Sequence, residues 1–393
     1  MISIHMYIPV LLFNPIHENS IGMLTILASS LSATSAPPCS LNGELVGSQC
    51  LCDKPWNGPE CETLSFRPVI WPQGYGMAPN LTSWGGNVIR DMATGRYHLY
   101  VSAMTNGCPL STWTQNSRID HAVADVMEGP YRFVDVAVPT WSHNSAPIAL
   151  ADGTYAIVHI GTGEGPASGG HNCTHGILDS SPMESSLPLT VSVQSQGSTI
   201  HISKSLDGPW SPLLNNTLGD CNNPAPWVHS NGTIYIVCGN SMLRADSISG
   251  PWARVSTFTQ SGGPEGNYED PFLYVDARGF HLLYHVYNTH ENPPHGHECF
   301  NSTVSAHSFS EDGFEWHMSK TQPYGTQIEM ADGSVVTVAT RERPKIFVTE
   351  AGVKTHLING VCGASNCPSG PPTGCVDCKY DNWDYTLVQP LEV

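Results

Sequence analysis

A short phrase recurs five times along this chain of 393 residues. Each copy begins with a polar or glycine-rich turn, continues into an apolar run, turns at a glycine and ends in a second apolar run. The copies are residues 84–103, 143–161, 222–239, 268–287 and 341–360, aligned on Gly95, Gly153, Gly232, Gly279 and Gly352. Self-similarity at this scale is the signature of a repeat architecture. Each copy predicts a strand, a tight turn and a second strand.

A second phrase follows four of the copies. Small polar, β-branched and apolar residues alternate in it, and a glycine turn then leads to an aromatic residue. The phrase occupies residues 117–133, 198–213, 241–255 and 302–318. Two hairpins per repeat make a four-stranded sheet, and five such sheets arranged radially make a propeller. The sequence therefore predicts an all-β fold, a five-bladed β-propeller over residues 67–393 that includes a cysteine-rich C-terminal segment. A sandwich gives no reason for the phrase to recur.

Charge excludes one class of partner. The chain has 16 basic and 34 acidic residues and a net charge of −18, with no cluster of Lys or Arg. Because phosphate binding requires such clusters, nucleic acid is not an expected partner. After the N-terminal region, no stretch reaches the roughly 20 apolar residues of a membrane span. We expect no membrane span.

Cysteines and glycosylation sequons point to an oxidising secretory route. There are thirteen cysteines and five sequons, at Asn80, Asn172, Asn215, Asn231 and Asn301. Residues 21–36 are apolar and end in small residues, as a signal peptide does, although no Lys or Arg precedes Lys54. Residues 1–36 are therefore predicted to be a signal peptide or an over-extended N-terminus, with Met23 as an alternative start. The protein is expected to be secreted, extracellular and glycosylated.

A small cysteine-rich module is predicted at residues 37–62. Its spacing, C-x-C-x8-C with an aromatic-Asn-Gly before the last cysteine, resembles the C-terminal part of an EGF-like module. That resemblance implies the bridges Cys39–Cys50 and Cys52–Cys61. A module of this size has almost no core and depends on its disulfides. Its expected role is spacing, or docking to a matrix or cell-surface protein.

The other nine cysteines leave the pairing open. Cys221 and Cys238 fall in one predicted blade and could bridge it. Near the C-terminus lie Cys362, Cys367, Cys375 and Cys378, which could bind zinc, but disulfides are favoured in a secreted chain. His290, His295 and His297 fall in a loop without a well-spaced acidic or cysteine partner, and we interpret them as solvated. No metal or cofactor is predicted.

Propeller geometry ranks the candidate functional residues. Strands within a blade are antiparallel, so the start of strand 1 and the end of strand 2 lie at the same mouth of the central channel. The predicted ligand-binding residues there are Asn144, His159, Asn222, Asn223, His285, Arg341, Glu342 and Arg343, beside Glu269, Asp270, Gly85 and Gly86. Insertions at 102–116, 162–190 and 286–301 are expected to overhang this mouth. Amides and carboxylates converging on a concave site suit a polyhydroxylated ligand.

The repeated S-x-x-GPW phrases, DG-type turns and polar-led inner strands resemble the five-bladed glycoside hydrolases, nearest to family 43. The resemblance covers roughly residues 67–360. It implies carboxylates on the inner strands that flank a glycosidic bond, one as acid and one as base or nucleophile. Glu269 matches the blade-4 acid, with Asp270 beside it as a second candidate catalytic residue. The blade-1 position falls on Gly85, Gly86 or Asn87, and the blade-3 position on Asn222 or Asn223.

An amide cannot act as a general base, so another group would have to take that role. The candidates are Glu342, Glu164, Asp179 and Asp120, or the imidazoles of His159 and His285. Three functions remain open. The favoured one is a secreted glycoside hydrolase acting on a polysaccharide or oligosaccharide. The others are a carbohydrate-binding, lectin-like propeller without catalysis and a cell-surface interaction protein.

Overall fold

Five four-stranded antiparallel sheets make up most of the structure, a computed structural model, and form a five-bladed β-propeller. The predicted fold class is confirmed. The structure describes residues 36–70, 73–76, 81–174, 177–178, 197–213, 218–219, 221–287, 303–363 and 384–393. The predicted signal peptide lies outside these residues. Among them, no helix is both long and apolar enough to cross a bilayer.

The strands follow the chain in order. Four short ones precede the propeller: β1 (Gly43–Val46), β2 (Gln49–Cys52), β3 (Trp56–Asn57) and β4 (Thr63–Leu64). Blade 1 contains β5 (Ser83–Arg90), β6 (Tyr97–Met104), β7 (Ser117–Ala124) and β8 (Arg132–Val138). Blade 2 contains β9 (Ser142–Ala149), β10 (Tyr155–Gly161), β13 (Ser198–Ser203) and β14 (Ser211–Pro212), with the small pair β11 (Cys173–Thr174) and β12 (Ile177–Leu178) inserted.

The remaining blades continue the pattern. Blade 3 contains β15 (Ala225–Val228), β16 (Ile234–Cys238), β17 (Ser241–Ala245) and β18 (Ala253–Thr257). Blade 4 contains β19 (Asn267–Val275), β20 (Phe280–Tyr287), β21 (Ser305–Ser310) and β22 (His317–Met318). Blade 5 contains β23 (Gln327–Glu329), β24 (Val335–Val348), β25 (Lys354–Gly363) and β26 (Tyr385–Pro390). The helical turns are 3₁₀ at Pro38–Leu41, Thr105–Gly107 and Leu110–Thr112, and α-helical at α1 (Trp113–Asn116).

The five aligned glycines turn the chain between the first and second strands of the repeats. All five have positive φ, as at Gly95 (76°) and Gly153 (81°). A side chain would be strained in that conformation, which is why the repeat keeps glycine there. The strand–turn–strand interpretation of the repeated phrase is therefore confirmed.

Blade 5 departs from the simple repeat because it closes the ring. β23 precedes the long β24 and pairs with its first residues, Val335–Thr337. On the outer side of β26, Phe66 bridges Leu391 and Tyr75 bridges Thr386. An N-terminal segment therefore covers the edge of the last strand, which would otherwise present unpaired backbone groups.

The cysteine-rich module packs against blades 4 and 5. Its disulfides Cys39–Cys50 and Cys52–Cys61 form as predicted, with Cα–Cα distances of 5.5 and 5.3 Å. The Trp56 ring lies against His307 of blade 4, with ring centroids 4.9 Å apart. The predicted Cys221–Cys238 bridge also forms. The likeness to an EGF-like module remains a prediction.

Candidate functional site at the channel mouth

The same backbone conformation recurs in every blade at one mouth of the channel. Near the start of each inner strand, one residue has left-handed backbone geometry with φ between 50° and 63°. These five residues, called here the mouth ring, are Gly85, Asn144, Asn223, Asp270 and Arg343. In blades 1, 4 and 5 the strand register shifts directly at this position. Bulges of this kind re-aim side chains next to functional sites.

The mouth ring places Asp270 in the centre of a buried polar network. Its side chain is 0% exposed, and its Oδ1 accepts a hydrogen bond from Asn144 Nδ2 at 3.2 Å. The same amide group of Asn144 donates to Asn223 Oδ1 at 2.8 Å. Arg343 Nη1 forms an ion pair with Asp270 Oδ1 at 3.1 Å. Asp270 is therefore linked to blades 2, 3 and 5, and its side chain is closed to bulk solvent.

Burial and the neighbouring charges shift the pKa of Asp270 in opposite directions. Burial raises the pKa of its carboxyl group, because the charged form loses its hydration. Arg343 and His285 act in the opposite direction, whereas the carboxylates of Glu269 and Glu342 add to the increase. The pKa of Asp270 lies above its ordinary value. The catalytic role of Asp270 therefore stays a prediction, and its surroundings also suit a residue that positions its neighbours.

His285 lies between the acidic side chains of blades 4 and 5. Its Nδ1 is 3.5 Å from Glu269 Oε1, and its Nε2 is 3.9 Å from Glu342 Oε1. Burial lowers the pKa of the imidazole, but the neighbouring carboxylates outweigh burial and raise it above the ordinary value. His285 therefore lies between two carboxylates, which approach opposite edges of its ring.

The two glutamates differ in access to solvent. The Glu269 side chain is 38% exposed, so a ligand in the mouth can reach it. Glu342 is mostly buried, and its carboxylate accepts hydrogen bonds from Trp84 Nε1 at 3.2 Å and Thr340 Oγ1 at 3.0 Å. Sequence reasoning missed Trp84 and Thr340. Their only signal was the position of Trp84 directly before the glycine pair of blade 1.

Sterics explain why blade 1 carries no acid in the mouth ring. A Cβ atom added to Gly85 would lie 2.9 Å from both Cβ and Cδ of Arg343. The side chain of blade 5 therefore fills the volume that a blade-1 side chain would need. The same arginine then reaches Asp270 in blade 4.

Three predicted ligand-binding residues, Arg341, His159 and Asn222, do not take part in the polar network described around Asp270. Arg341 is buried between the rings of Phe66 and Tyr324, and it donates to Asn359 and Gln389 at 2.9 and 2.8 Å. His159 is buried with Nε2 2.8 Å from His201 Nδ1 and Nδ1 2.9 Å from the Ile160 carbonyl oxygen.

Asn222 is exposed, while its neighbour Asn223 enters the network. Because the polar groups of Arg341 and His159 are engaged inside the protein, neither is free to bind a ligand.

The other alternative carboxylates have different surroundings where the structure describes them. Asp120 is buried against Tyr75 and Arg118, at 2.9 and 2.7 Å. Glu164 is exposed on the blade-2 insertion, and Asp179 lies outside the described residues. Two described carboxylates share His285 with Glu269: Glu342, at 3.9 Å from Nε2, and Asp270, at 3.8 Å from Nδ1.

Two insertions, residues 105–116 and 162–174, are joined to each other and are together called here the roof. Cys108 and Cys173 form a disulfide that links residues 105–116 to residues 162–174, a pairing that the sequence did not reveal. Asn116 strengthens the link, donating to the His171 carbonyl oxygen at 2.8 Å and accepting from the His171 amide at 3.1 Å. On this roof, Trp113 stacks on His143, the residue before Asn144, with ring centroids 4.7 Å apart. The roof therefore reaches the mouth ring. Most of the 286–301 insertion lies outside the described residues.

The mouth also offers donors that suit a cation. One oxygen each of Glu269 and Asp270 and one nitrogen of His285 lie within 4.8 Å of one another. Carboxylate oxygens and an imidazole nitrogen are ligands for several divalent ions.

Comparison with known proteins adds fold-level likeness only. No family model and no curated protein matches the chain. Among solved structures, a family-43 β-1,3-galactosidase aligns at 11% identity and TM-score 0.46, over 79% of this chain and 56% of that one. An endo-1,4-β-xylanase from Bacteroides thetaiotaomicron aligns at 10% identity and TM-score 0.49, over 80% of this chain and 92% of that one.

A family 117 glycoside hydrolase from Zobellia galactanivorans aligns at 14% identity and TM-score 0.45, over 84% and 90%. This chain thus spans little more than half of the galactosidase. At these values the likeness says nothing about activity, and the propeller assignment stands on the strand pairings themselves.

Proposed function

We propose that the chain is a carbohydrate-active propeller that binds a sugar at the mouth ring and cleaves a glycosidic bond there. One observation carries the proposal: solvent-accessible Glu269 and protected Glu342 face opposite edges of buried His285. Hydrolysis of a glycosidic bond uses two carboxyl groups, one that protonates the leaving oxygen and one that activates water or attacks, and Glu269 and Glu342 are two such groups that meet at His285.

Each group has one role in the proposed reaction. Glu269 donates a proton to the leaving oxygen while the bond from that oxygen to the sugar carbon breaks. Glu342 accepts a proton from the water whose oxygen bonds to the same carbon. Trp84 and Thr340 orient Glu342 for this step. His285 keeps the two carboxylates apart and offsets their charge, and Asp270 anchors the network beneath them.

Hydrolysis of plant or algal polysaccharide fragments tests the proposal, with purified protein and a Glu269→Gln variant. We expect the rate to fall by about 10²–10⁴-fold, the usual contribution of a general acid. Glu311→Gln is the matched control, since Glu311 is exposed on a turn of blade 4 away from the mouth ring. Equal rates for the wild type and Glu269→Gln would remove Glu269 from the mechanism.

Carbohydrate binding without cleavage is the second candidate. The neutral character of the ring in blades 1 to 3, with Gly85, Asn144 and Asn223, favours it, because amides bind sugar hydroxyls and do not transfer protons. Glycan-array binding by the wild type, with no turnover over long incubation, would select this function over hydrolysis.

Secretion is part of the proposal. Four disulfides form among the described residues, and the sequon residues Asn172 and Asn231 are exposed. Disulfides persist in oxidising compartments. Docking of the cysteine-rich module to a matrix or cell-surface protein remains a prediction. Mass spectrometry of the protein from a eukaryotic culture medium tests secretion, with glycans expected at both asparagines.

A further inference from the structure

A second group of titratable side chains lies away from the mouth, between blades 1 and 2. His98 on β6 and His121 on β7 are buried, and their rings face each other with Nδ1 of His98 2.9 Å from Nε2 of His121. The ring planes differ by 11°. Neither residue is used by the proposed reaction.

A carboxylate fixes the protonation of one ring. Asp135 Oδ1 lies 3.1 Å from His121 Nδ1, so that nitrogen carries the proton and donates it to Asp135. The lone pair of His121 is then on Nε2 and points toward His98. A carboxylate behind a histidine is the usual support of a metal-binding imidazole.

The adjacent blade supplies a third donor. Asp207, on the turn after β13, is 74% exposed, and its Oδ1 is 4.0 Å from His98 Nδ1. The donor atoms of His98, His121 and Asp207 lie within 4.8 Å of one another. Tyr100 OH donates to the Leu206 carbonyl oxygen and so holds this turn against blade 1. Asp207 gives the pair both a charged ligand and a path to solvent.

Blade 4 contains the same arrangement of two histidines, but its described residues supply no third donor beside the shared nitrogens. His281 Nδ1 is 3.1 Å from His307 Nε2, and the rings are again nearly parallel, at 8°. Here the carboxylate, Asp276, lies on the far nitrogen of His281, at 3.4 Å. Ser319 Oγ is 3.3 Å from the remaining nitrogen of His307. The blade-4 pair is therefore a hydrogen-bonded structural pair, and the acid beside the shared nitrogens is what distinguishes blade 1.

We propose that His98 Nδ1, His121 Nε2 and Asp207 bind a divalent transition-metal ion, with Zn²⁺ the best match, and that the ion joins blade 1 to blade 2. Two imidazoles and one carboxylate suit zinc, and water completes a tetrahedral shell. The proton shared by the two rings moves to Nε2 of His98. The nitrogens separate from 2.9 Å to about 3.3 Å, the spacing set by zinc–nitrogen bonds of about 2.0–2.1 Å. Sequence spacing gave no sign of this site, because Asp207 belongs to another blade.

Zinc titration of the full chain tests the proposal, after treatment with a chelator and its removal. Asp207→Asn is the main variant, because an exposed side chain can be changed without disturbing the core. His98→Gln removes a second ligand. Asp135→Asn, which changes the support and not a ligand, should weaken binding by about 10–100-fold. Asp152→Asn, an exposed turn carboxylate of the same blade as Asp207, and Glu269→Gln, which alters the mouth donors, are the controls.

The expected result is a zinc site that the wild type and both controls share and that Asp207→Asn and His98→Gln lose. Zinc should also raise the unfolding temperature of the wild type and not that of Asp207→Asn. Equal zinc affinity in the wild type and Asp207→Asn overturns the proposal. So does a crystal grown with Zn²⁺ whose anomalous signal lies elsewhere and not between His98 and His121.

Discussion

The mouth ring has two halves that share a backbone and differ in chemistry. Blades 4 and 5 contribute Glu269 with Asp270 and Glu342 with Arg343, whereas blades 1 to 3 contribute glycine, asparagine, tryptophan and histidine at the matching positions. All five ring residues have the same left-handed geometry. The repeat therefore sets where a side chain points, and only its identity sets what it can do.

The neutral half supports the charged half. Arg343 fills the space beside Gly85, and Asn144 donates to Asp270 while also holding Asn223. Replacing the neutral residues of blades 1 and 3 by acids would crowd Arg343 or place like charges next to Asp270. The neutral residues of these blades are thus part of one consistent arrangement around Asp270.

The largest effect should follow from Asp270→Asn. The change leaves Arg343 almost buried without its carboxylate, and breaking a buried pair from one side costs about 3–5 kcal/mol of unfolding free energy. Urea denaturation followed by fluorescence measures this loss. Asp246→Asn is the control, because Asp246 pairs with Arg244 at the surface at 2.6 Å and should matter little.

The double variant Asp270→Asn with Arg343→Met should recover part of the lost stability, because no unpaired charge remains. If Asp270→Asn is as stable as the Asp246 control, the network around Asp270 does not join the two halves.

A smaller effect should follow from Gly85→Ala. Any L-residue there pays about 1–2 kcal/mol for left-handed geometry, and contact with Arg343 adds about 1–3 kcal/mol for overpacking. Gly153→Ala is the matched control: its φ is 81°, and a Cβ there meets nothing within 4 Å. Denaturation midpoints of the two variants measure the difference.

In an Arg343→Gly background the two alanine variants should become equally destabilising, since the Cβ and Cδ atoms that crowd position 85 are then both absent. An unchanged difference in that background would show that Arg343 does not fill the blade-1 position.

The sequence predicted the repeat more fully than the site. Glycine turns and alternating strands are local signals, so the five blades and their mouth could be read from spacing alone. Spacing alone could not show which residue of each polar phrase points into the site. Asn223 points inward rather than Asn222, and Asp270 is buried while Glu269 stays accessible, because one residue of each phrase adopts a left-handed backbone conformation.

Arg341 is a second residue whose position could not be predicted from the local sequence. It lies two residues before Arg343, yet its guanidinium group packs between Phe66 and Tyr324. Phe66 comes from the segment that closes the ring, far away in sequence. No local pattern in residues 341–343 reports that contact.

The smallest expected effect is on the pH dependence of stability, to which two histidines, one from each half of the ring, contribute with opposite sign. Carboxylates raise the pKa of His285, so the folded state binds its proton more tightly than the unfolded state. Its stabilisation is fully present below the ordinary histidine pKa of about 6.5 and is lost as the pH rises through the raised value. His143 is the reverse: burial, and then Arg343, lower its pKa well below the ordinary value. The contribution of His143 to the free energy of unfolding is present above about pH 6.5 and is lost as the pH falls. At low pH the imidazole binds a proton in the unfolded state but stays neutral in the folded state, which favours unfolding.

Unfolding free energies of the wild type, His285→Gln and His143→Gln between pH 5 and 9 measure both contributions as differences from the wild type. The slope should reach at most about 1.4 kcal/mol per pH unit for each histidine. We expect the His285 difference to shrink as the pH rises above about 6.5 and the His143 difference to shrink as the pH falls below it. Curves of the same sign would mean that the charge of blades 4 and 5 extends across the whole ring, and the two halves would then be one electrostatic environment.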